Sequence, residues 1–392
     1  MKEWKKVTAE EFCDSVRDGT HDTPKQVEKG YKLVTAKHIY NGQIDLSDAY
    51  LISEKDYKKI NERSKVEKWD VLMSMIGNGL GKSAVVKDTP QYAIKNLALF
   101  KLGNEIKAKW LHYYLSSKMG QGYIYNSLQG SGQPFISLGI LRKFPIPIPT
   151  DTNLMFKVVE ILSRYDSLIE NYQKQKKLLE ESAQRLYKEW FIDLRFPGHE
   201  NTKIVDGVPE GWEKTKITEL VNVQYGYAFD GKLFNSNSEG MPILRIRNIP
   251  DGITSDYTTE EAQDCYIVHN GDIVVGMDGI FHINSWSGGD AYLVQRACSF
   301  RPKEECMKGF IFQAIQEPIK FFEKTLVGAT VAHLGKKHID SIELCIPKNF
   351  ELYKPFSKFY NQRQGLLSQI RHLTEARDRL LPKLMSGEIK IN

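Results

Sequence analysis

The feature that most constrains this chain is a run from Met155 to Phe191, 37 residues without Pro or Gly. Apolar side chains recur in it at steps alternating between three and four: Leu162, Tyr165, Ile169, Tyr172, Lys176, Leu179, Ala183, Leu186 and Trp190. The mean step of 3.5 is the period of a seam between supercoiled helices, with Lys176 its single charge. A helix of this length spans roughly 55 Å, too long for one small core. Adding 194 to each number gives Phe356, Phe359, Arg363, Leu366, Ile370, Leu373, Arg377, Leu380 and Leu384. The same alternation returns without a gap, so one seam helix occurs twice in the chain. The helix ends correspond as well, Ala183-Gln-Arg-Leu186 matching Arg377-Asp-Arg-Leu380.

The rest of the chain repeats in the same order. EWKKVTAEEF near the start is echoed by GWEKTKITEL from Gly211, and LVTAKHIYNGQI (33–44) by LRIRNIPDGI (244–253). VEKWDVLMSMIGNG (66–79) returns as VHNGDIVVGMDG (268–279), and LRKFPIPIP (141–149) as IDSIELCIP (339–347). The organisation is a domain over 1–150, a long helix over 151–192, a second domain over 193–348, then a second helix and tail over 349–392. Within the first domain, segments 31–39, 70–76, 83–86 and 144–149 read as strands. The prolines of the last confine it to an edge, and 111–124 reads as one short helix. The fold class is α+β, two similar globular domains separated by two long helices.

Connectivity favours helices paired head to tail, as an antiparallel coiled coil with a pseudo-two-fold internal repeat. Parallel pairing would force the second domain to bridge roughly 55 Å between the helix ends it joins. Pro382 is expected to kink or end the second helix near Leu381. Lys176, Arg363 and Arg377, cations in the seam, either fix its register or lay their stems along it with their heads in water. Tyr187, Trp190 and Phe191, with Leu380, Leu381 and Leu384, either offer a docking surface or pack on the adjoining domain.

Net charge is only +5, so polyanion binding must come from local clustering. Five scattered cysteines without a C-x-x-C pair argue against a disulfide framework or a zinc site and fit a reducing cytoplasm. No metal or other cofactor is expected. GNGLGKS (77–83) imitates a phosphate loop, but that motif needs Gly where Ile76 stands. Neither H-E-x-x-H nor a dinucleotide-binding G-x-G-x-x-G is present, and no adenine-methyltransferase loop, so the chain is expected to catalyse nothing alone.

The copies diverge most in their loops, which carry the donors that bases and phosphates require. In the first domain these are His21, Thr23, Lys25, Lys37, Asn78, Lys82, Gln129, Ser131 and Gln133. In the second they are Tyr227, Lys232, Arg245, Arg247, Asn248, His282, Asn284, Thr330, His333 and Lys336. One frame bearing unlike loops suits a duplex DNA with two different half-sites.

Taken together, the duplicated order, AQRLYKEWFIDLRFPG (183–198), RLLPKLMSGEI (379–389), and the pair WDVLMSMIGN and GDIVVGMDG resemble the specificity subunit of type I restriction–modification systems. The resemblance covers nearly the whole chain. It implies a non-catalytic subunit that recognises a bipartite, asymmetric target, one half per target recognition domain, with the helices setting the gap. It also implies partners: two DNA adenine methyltransferase (modification) subunits, and restriction subunits that hydrolyse ATP and translocate DNA. The alternative reading is a coiled-coil scaffold whose two domains bind protein partners.

Overall fold

The computed structural model describes residues 4–40, 42–130, 132–326, 332–389 and 391, with the backbone alone at Asn78. Ser131 and Thr330 lie outside the described residues. The chain forms two compact units, one of residues 1–168 with 373–392, the other of residues 169–372. Each unit therefore contains one end of both long helices.

In the first unit the framework strands, apart from three two-residue strands between residues 39 and 52, are β1 (Trp4–Thr8), β2 (Ser15–Asp18), β3 (Tyr31–Val34), β4 (Val71–Ser74), β5 (Ser83–Val85), β6 (Tyr92–Ile94), β7 (Leu97–Lys101) and β8 (Pro145–Pro149). The second unit repeats them as β9 (Trp212–Lys216), β10 (Val221–Tyr225), β11 (Met241–Leu244), β12 (Ile273–Gly276), β13 (Ile283–Ser285), β14 (Ala291–Leu293), β15 (Ala297–Pro302) and β16 (Glu343–Pro347). The central antiparallel sheets run β2-β7-β4-β5 and β10-β15-β12-β13, the same order twice. β3 pairs in parallel with β6, and β11 with β14. β1 pairs with β8 from Trp4 opposite Pro149, and β9 with β16 from Trp212 opposite Pro347. The proline-rich β8 is thus an edge strand, because each proline lacks the N–H that a second neighbour would need.

Segment 111–124 is not one helix. It divides into α1 (Glu105–Ser116) and α2 (Lys118–Asn126) at Ser117. The Ser117 hydroxyl accepts from the Gly120 N–H at 3.1 Å, capping α2, while its own N–H closes α1 on the Tyr114 carbonyl. A side chain at Gly120 would begin 2.1 Å from that carbonyl, so the close approach requires Gly.

The long helices are α3 (Thr152–Tyr187) and, after the short helices α4 (Lys308–Ala314) and α5 (Gln316–Thr325) of the second unit, α6 (Lys354–Ser386). α3 gives way to a π-helical turn, Lys188–Ile192. Helix α6 continues through Pro382 instead of stopping at Leu381. Proline removes one helical hydrogen bond at a cost of about 3 kcal/mol. Leu381, Leu384 and Met385 around it are all buried, and burial contributes roughly 1.5–3 kcal/mol for each such side chain.

Each unit pairs the helices head to tail. In the first, Val158, Val159 and Leu162 from the start of α3 share a core with Leu381, Leu384 and Met385 from the end of α6. In the second, Phe356 and Tyr360 from the start of α6 are buried in a core that Leu186, Tyr187 and Trp190, from the end of α3, pack against. Leu179 and Ala183 line one small cleft with Phe356, Phe359 and Arg363. Of the other seam positions, Ile169 is buried, while Tyr165, Tyr172, Leu366, Ile370, Leu373 and Leu380 are half-buried, as expected where only two helices meet.

The seam arginines do not carry their charges into water. Arg363, with its side chain 7% exposed, pairs with Glu180 at 2.6 Å. It also donates to Ser285 and, at 2.7 Å, to Asn284, and it lies 5.2 Å from the Phe312 ring centre. Arg377 donates to Asp166 at 2.9 Å and pairs with its neighbour Asp378. Nor do the aromatics at the end of α3 form a free docking surface. Phe191 is buried against Trp212, Phe310 and Phe356, and Tyr187 and Trp190 pack on the same cluster.

Two outcomes follow from this packing. Arg363→Met strands Glu180, Asn284 and Ser285 and should destabilise the second unit by about 3 kcal/mol in urea unfolding. Arg363→Lys should recover little, because an ammonium cannot reproduce the guanidinium fork. A loss under about 0.5 kcal/mol for Arg363→Met would show that the pair does not hold the helices. Separately, burial pushes His112 of α1 down from 6.5 to about 4, with Nδ1 2.9 Å from Ser83 Oγ. The unfolded chain takes up this proton first, so stability should fall by up to about 3 kcal/mol as pH drops from 6.5 to 4. His112→Gln should flatten that slope in pH-dependent denaturation.

Candidate nucleic-acid interface

In the first unit the loop after β2 runs beside the β6–β7 turn. Thr20 N–H donates to Ile94 O at 3.0 Å, and Asn96 N–H donates to Thr20 O at 3.1 Å. The second unit does the same after β10, where Tyr227 N–H donates to Leu293 O at 2.9 Å and Gln295 N–H to Tyr227 O at 2.8 Å. The approach leaves no room for a side chain at the preceding residue. A Cβ at Gly19 would sit 2.4 Å from Ile94 O, and one at Gly226 would sit 2.2 Å from Val294 O.

A 3-10 turn follows the next strand in each copy, Ala36–His38 and Ile246–Asn248. Thr35 N–H donates to His38 Nδ1 at 2.8 Å, and Arg245 N–H to Asn248 Oδ1 at 2.9 Å. His38 is buried, and that burial lowers its pKa against the opposing pull of Asp48. The middle residue of each turn is an exposed cation with an acidic partner: Lys37 with Asp48 at 2.7 Å, Arg247 with Asp256 at 2.5 Å.

The third shared element is the loop closing the β4–β5 and β12–β13 hairpins. In the first unit it pairs with the 128–136 segment, Ile76 bridging to Phe135 and Ile136 N–H donating to Met75 O at 3.0 Å. In the second, Asp278 bridges to His333, and Leu334 N–H donates to Met277 O at 2.7 Å. GNGLGKS is therefore a hairpin turn leading into strand β5. A phosphate loop would instead lead into a helix whose N-terminus faces the phosphates.

These connections bring most of the sequence-nominated residues to the loops of each unit. His21, Thr23, Lys25, Lys37, Lys82, Gln129 and Gln133 are exposed in the first unit, as are Tyr227, Lys232, Arg247, His333 and Lys336 in the second. Arg245 and His282 are half-buried, Arg245 lying over Phe234. Asn248 and Asn284 serve the frame. The first caps its own turn, and the second binds the Ile249 and Pro250 carbonyls and the Arg363 guanidinium. Lys82 lies 5.7 Å from the Tyr40 ring centre, and Thr23 accepts from Lys95.

Three residues that sequence reasoning passed over sit among them: Lys95, Asn96 and Arg296. Asn96 Oδ1 lies 2.9 Å from His21 Nδ1, and His21 Nε2 lies 3.0 Å from Asp18, which also binds Arg63. Asp278 accepts from Arg296 and contacts His333 Nδ1 at 2.5 Å. Burial alone would raise the Asp278 pKa, but hydrogen bonds from His333 and Arg296 outweigh it and hold the carboxyl below its usual range. Aligning YAIKNLALF (92–100) with YLVQRACSF (292–300) is the signal that finds Asn96 and Arg296.

The family model for the type I restriction modification DNA specificity domain matches residues 1–181 and again 209–372. The chain belongs to this family. As a specificity subunit it is the DNA-recognition component, not the catalytic one, of such a system. It is 25% identical to the MjaIX specificity subunit of Methanocaldococcus jannaschii over 317 residues, covering 73% of this chain and 70% of that one. It is 25% identical to the MjaVIII specificity subunit of the same organism over 392 residues, covering 94% and 88%. The crystal structure of a type I S subunit from M. genitalium shares the fold, with a TM-score of 0.52 at 18% identity over 97% of this chain and 96% of that one. Among the described residues, no helix is long and apolar enough to cross a membrane.

The close approach at the loop base gives a direct check. Gly226→Ala should destabilise the chain by more than about 2 kcal/mol, because backbone must move on both sides of the new Cβ. Gly231→Ala, where a Cβ meets nothing within 4 Å, should change stability by less than about 0.5 kcal/mol. Equal effects in thermal unfolding would contradict the packing.

Proposed function

We propose that the two repeated domains each read one half of a bipartite, asymmetric duplex DNA target. The paired helices set the gap between the halves. The subunit recruits two DNA adenine methyltransferase subunits and, with them, restriction and translocase subunits, in the cytoplasm. The observation that carries this reading is the repetition of one β frame with unlike exposed loops on equivalent connections. A frame that repeats while its donor-bearing loops diverge is what two readers of different sequences require. The cations in those loops supply phosphate attraction, and their amides and guanidinium groups match adenine and guanine edges.

The test is done on the chain assembled with its methyltransferase, reading methylated adenines on a randomised plasmid library. Exchanging residues 227–240 and 278–283 for those of a relative should change one half of the target and leave the other intact. Inserting seven residues into each long helix adds roughly 10 Å, so the gap should widen by at most about three base pairs with both halves retained. A gap that stays fixed would refute the spacer role. A complex showing no salt-dependent DNA binding would favour the protein scaffold instead.

A further inference from the structure

The turns joining β6 to β7 and β14 to β15 are superficially alike but chemically different where it counts for recognition. Tyr92 and Phe100 flank the first and Tyr292 and Phe300 the second, at identical spacing. Between them, Asn96 (φ 53°) and Arg296 (φ 70°) both adopt left-handed backbone. Asn tolerates that conformation well, but Arg does not, and a turn selected for stability alone would carry Gly or Asn. Strained residues of this kind persist where the side chain has a task.

The surroundings of Arg296 are consistent with such a task. Its side chain is 68% exposed, whereas Asp278 beneath it is 13% exposed. The bond described between them uses Nη1 alone, so the carboxylate orients the guanidinium from one side. The Nε and Nη2 donors remain on another edge of the plane. An arginine held this way has fewer rotamers to lose when its fork meets guanine N7 and O6. In the first unit the same backbone position carries Asn96, which suits the left-handed turn and whose Oδ1 lies 2.9 Å from His21 Nδ1.

We propose that the left-handed turn of the second domain carries a specificity-determining residue, Arg296, reading a guanine. The proposal rests on the DNA-reading assignment made above and adds the residue and the base. Arg296→Gly separates the two roles of the position, since Gly relieves the backbone while removing the fork. In the assembled methyltransferase complex, Arg296→Gly should keep or raise the thermal midpoint. It should also relax discrimination at one base pair of one half-site by about tenfold or more. Arg296→Asn should shift preference at that same base pair toward adenine, leaving the other half unchanged. A unchanged methylation motif for Arg296→Gly, with a bipartite motif for the wild-type complex, would overturn this inference and leave the DNA-reading assignment standing. Uniformly weaker methylation with no change at any position would mark a phosphate contact and also overturn it. A wild-type complex without any bipartite motif would overturn both.

Discussion

Within each unit the head-to-tail meeting of the two long helices carries one ion pair, Arg363 with Glu180 in the second and Arg377 with Asp166 in the first. An apolar seam is non-directional, and the three-four alternation of Leu, Ile and Tyr would serve parallel helices as well as antiparallel ones. A guanidinium with little solvent access cannot be so indifferent, because an unpaired buried charge costs several kcal/mol. The acidic partners are 14 residues apart along α3, and the arginines 14 apart along α6 in the opposite order. Within its own unit, each pair is satisfied by helices that run head to tail. Arg363 also grips Asn284 and Ser285 of strand β13, so the contact ties helix to sheet within its unit.

The helices are more than a divider, because their ends are built into the domain cores. Leu162, Leu381, Leu384 and Met385 share a core with Trp110 and Phe144 in the first unit, and Phe191 and Phe356 do so with Phe310 and Tyr353 in the second. Against these cores stands a frame that tolerates little change. Gly19 and Gly226 are set by the carbonyl they face, and the 3-10 turns by the side chain that caps them, His38 in one copy and Asn248 in the other. Freedom lies in the exposed loop residues, and that is where the copies differ.

The duplication, the strand segments and the long helices were legible in the sequence because each leaves a local or periodic trace. The edge character of β8 followed from proline chemistry alone. What could not be read was set by contacts between distant segments. Ser117, an ordinary N-cap residue, divides a run that composition presents as one helix. Pro382 stays helical because the core holds the residues around it. The acids that receive Arg363 and Arg377 lie on the other helix, 183 and 211 residues away, so the sequence left open whether the arginines fix the register or reach water. Asn248 and Asn284 had the right chemistry for bases, yet geometry turns them inward. Arg296 and Asn96 were missed because a left-handed turn without glycine has no local signature, and only the alignment of the two copies points to it.

The antiparallel register is tested most directly by thiol cross-linking in a chain whose exposed Cys265 and Cys306 are replaced by serine. In the dilute protein a short bis-maleimide should join Asp166→Cys to Arg377→Cys intramolecularly in high yield, the long arginine side chain having held the two helices farther apart than a disulfide can reach. Asp166→Cys with Asn361→Cys, neighbours only if the helices run in the same sense, should form none. The reverse pattern, or cross-linking in neither pair, would contradict the account.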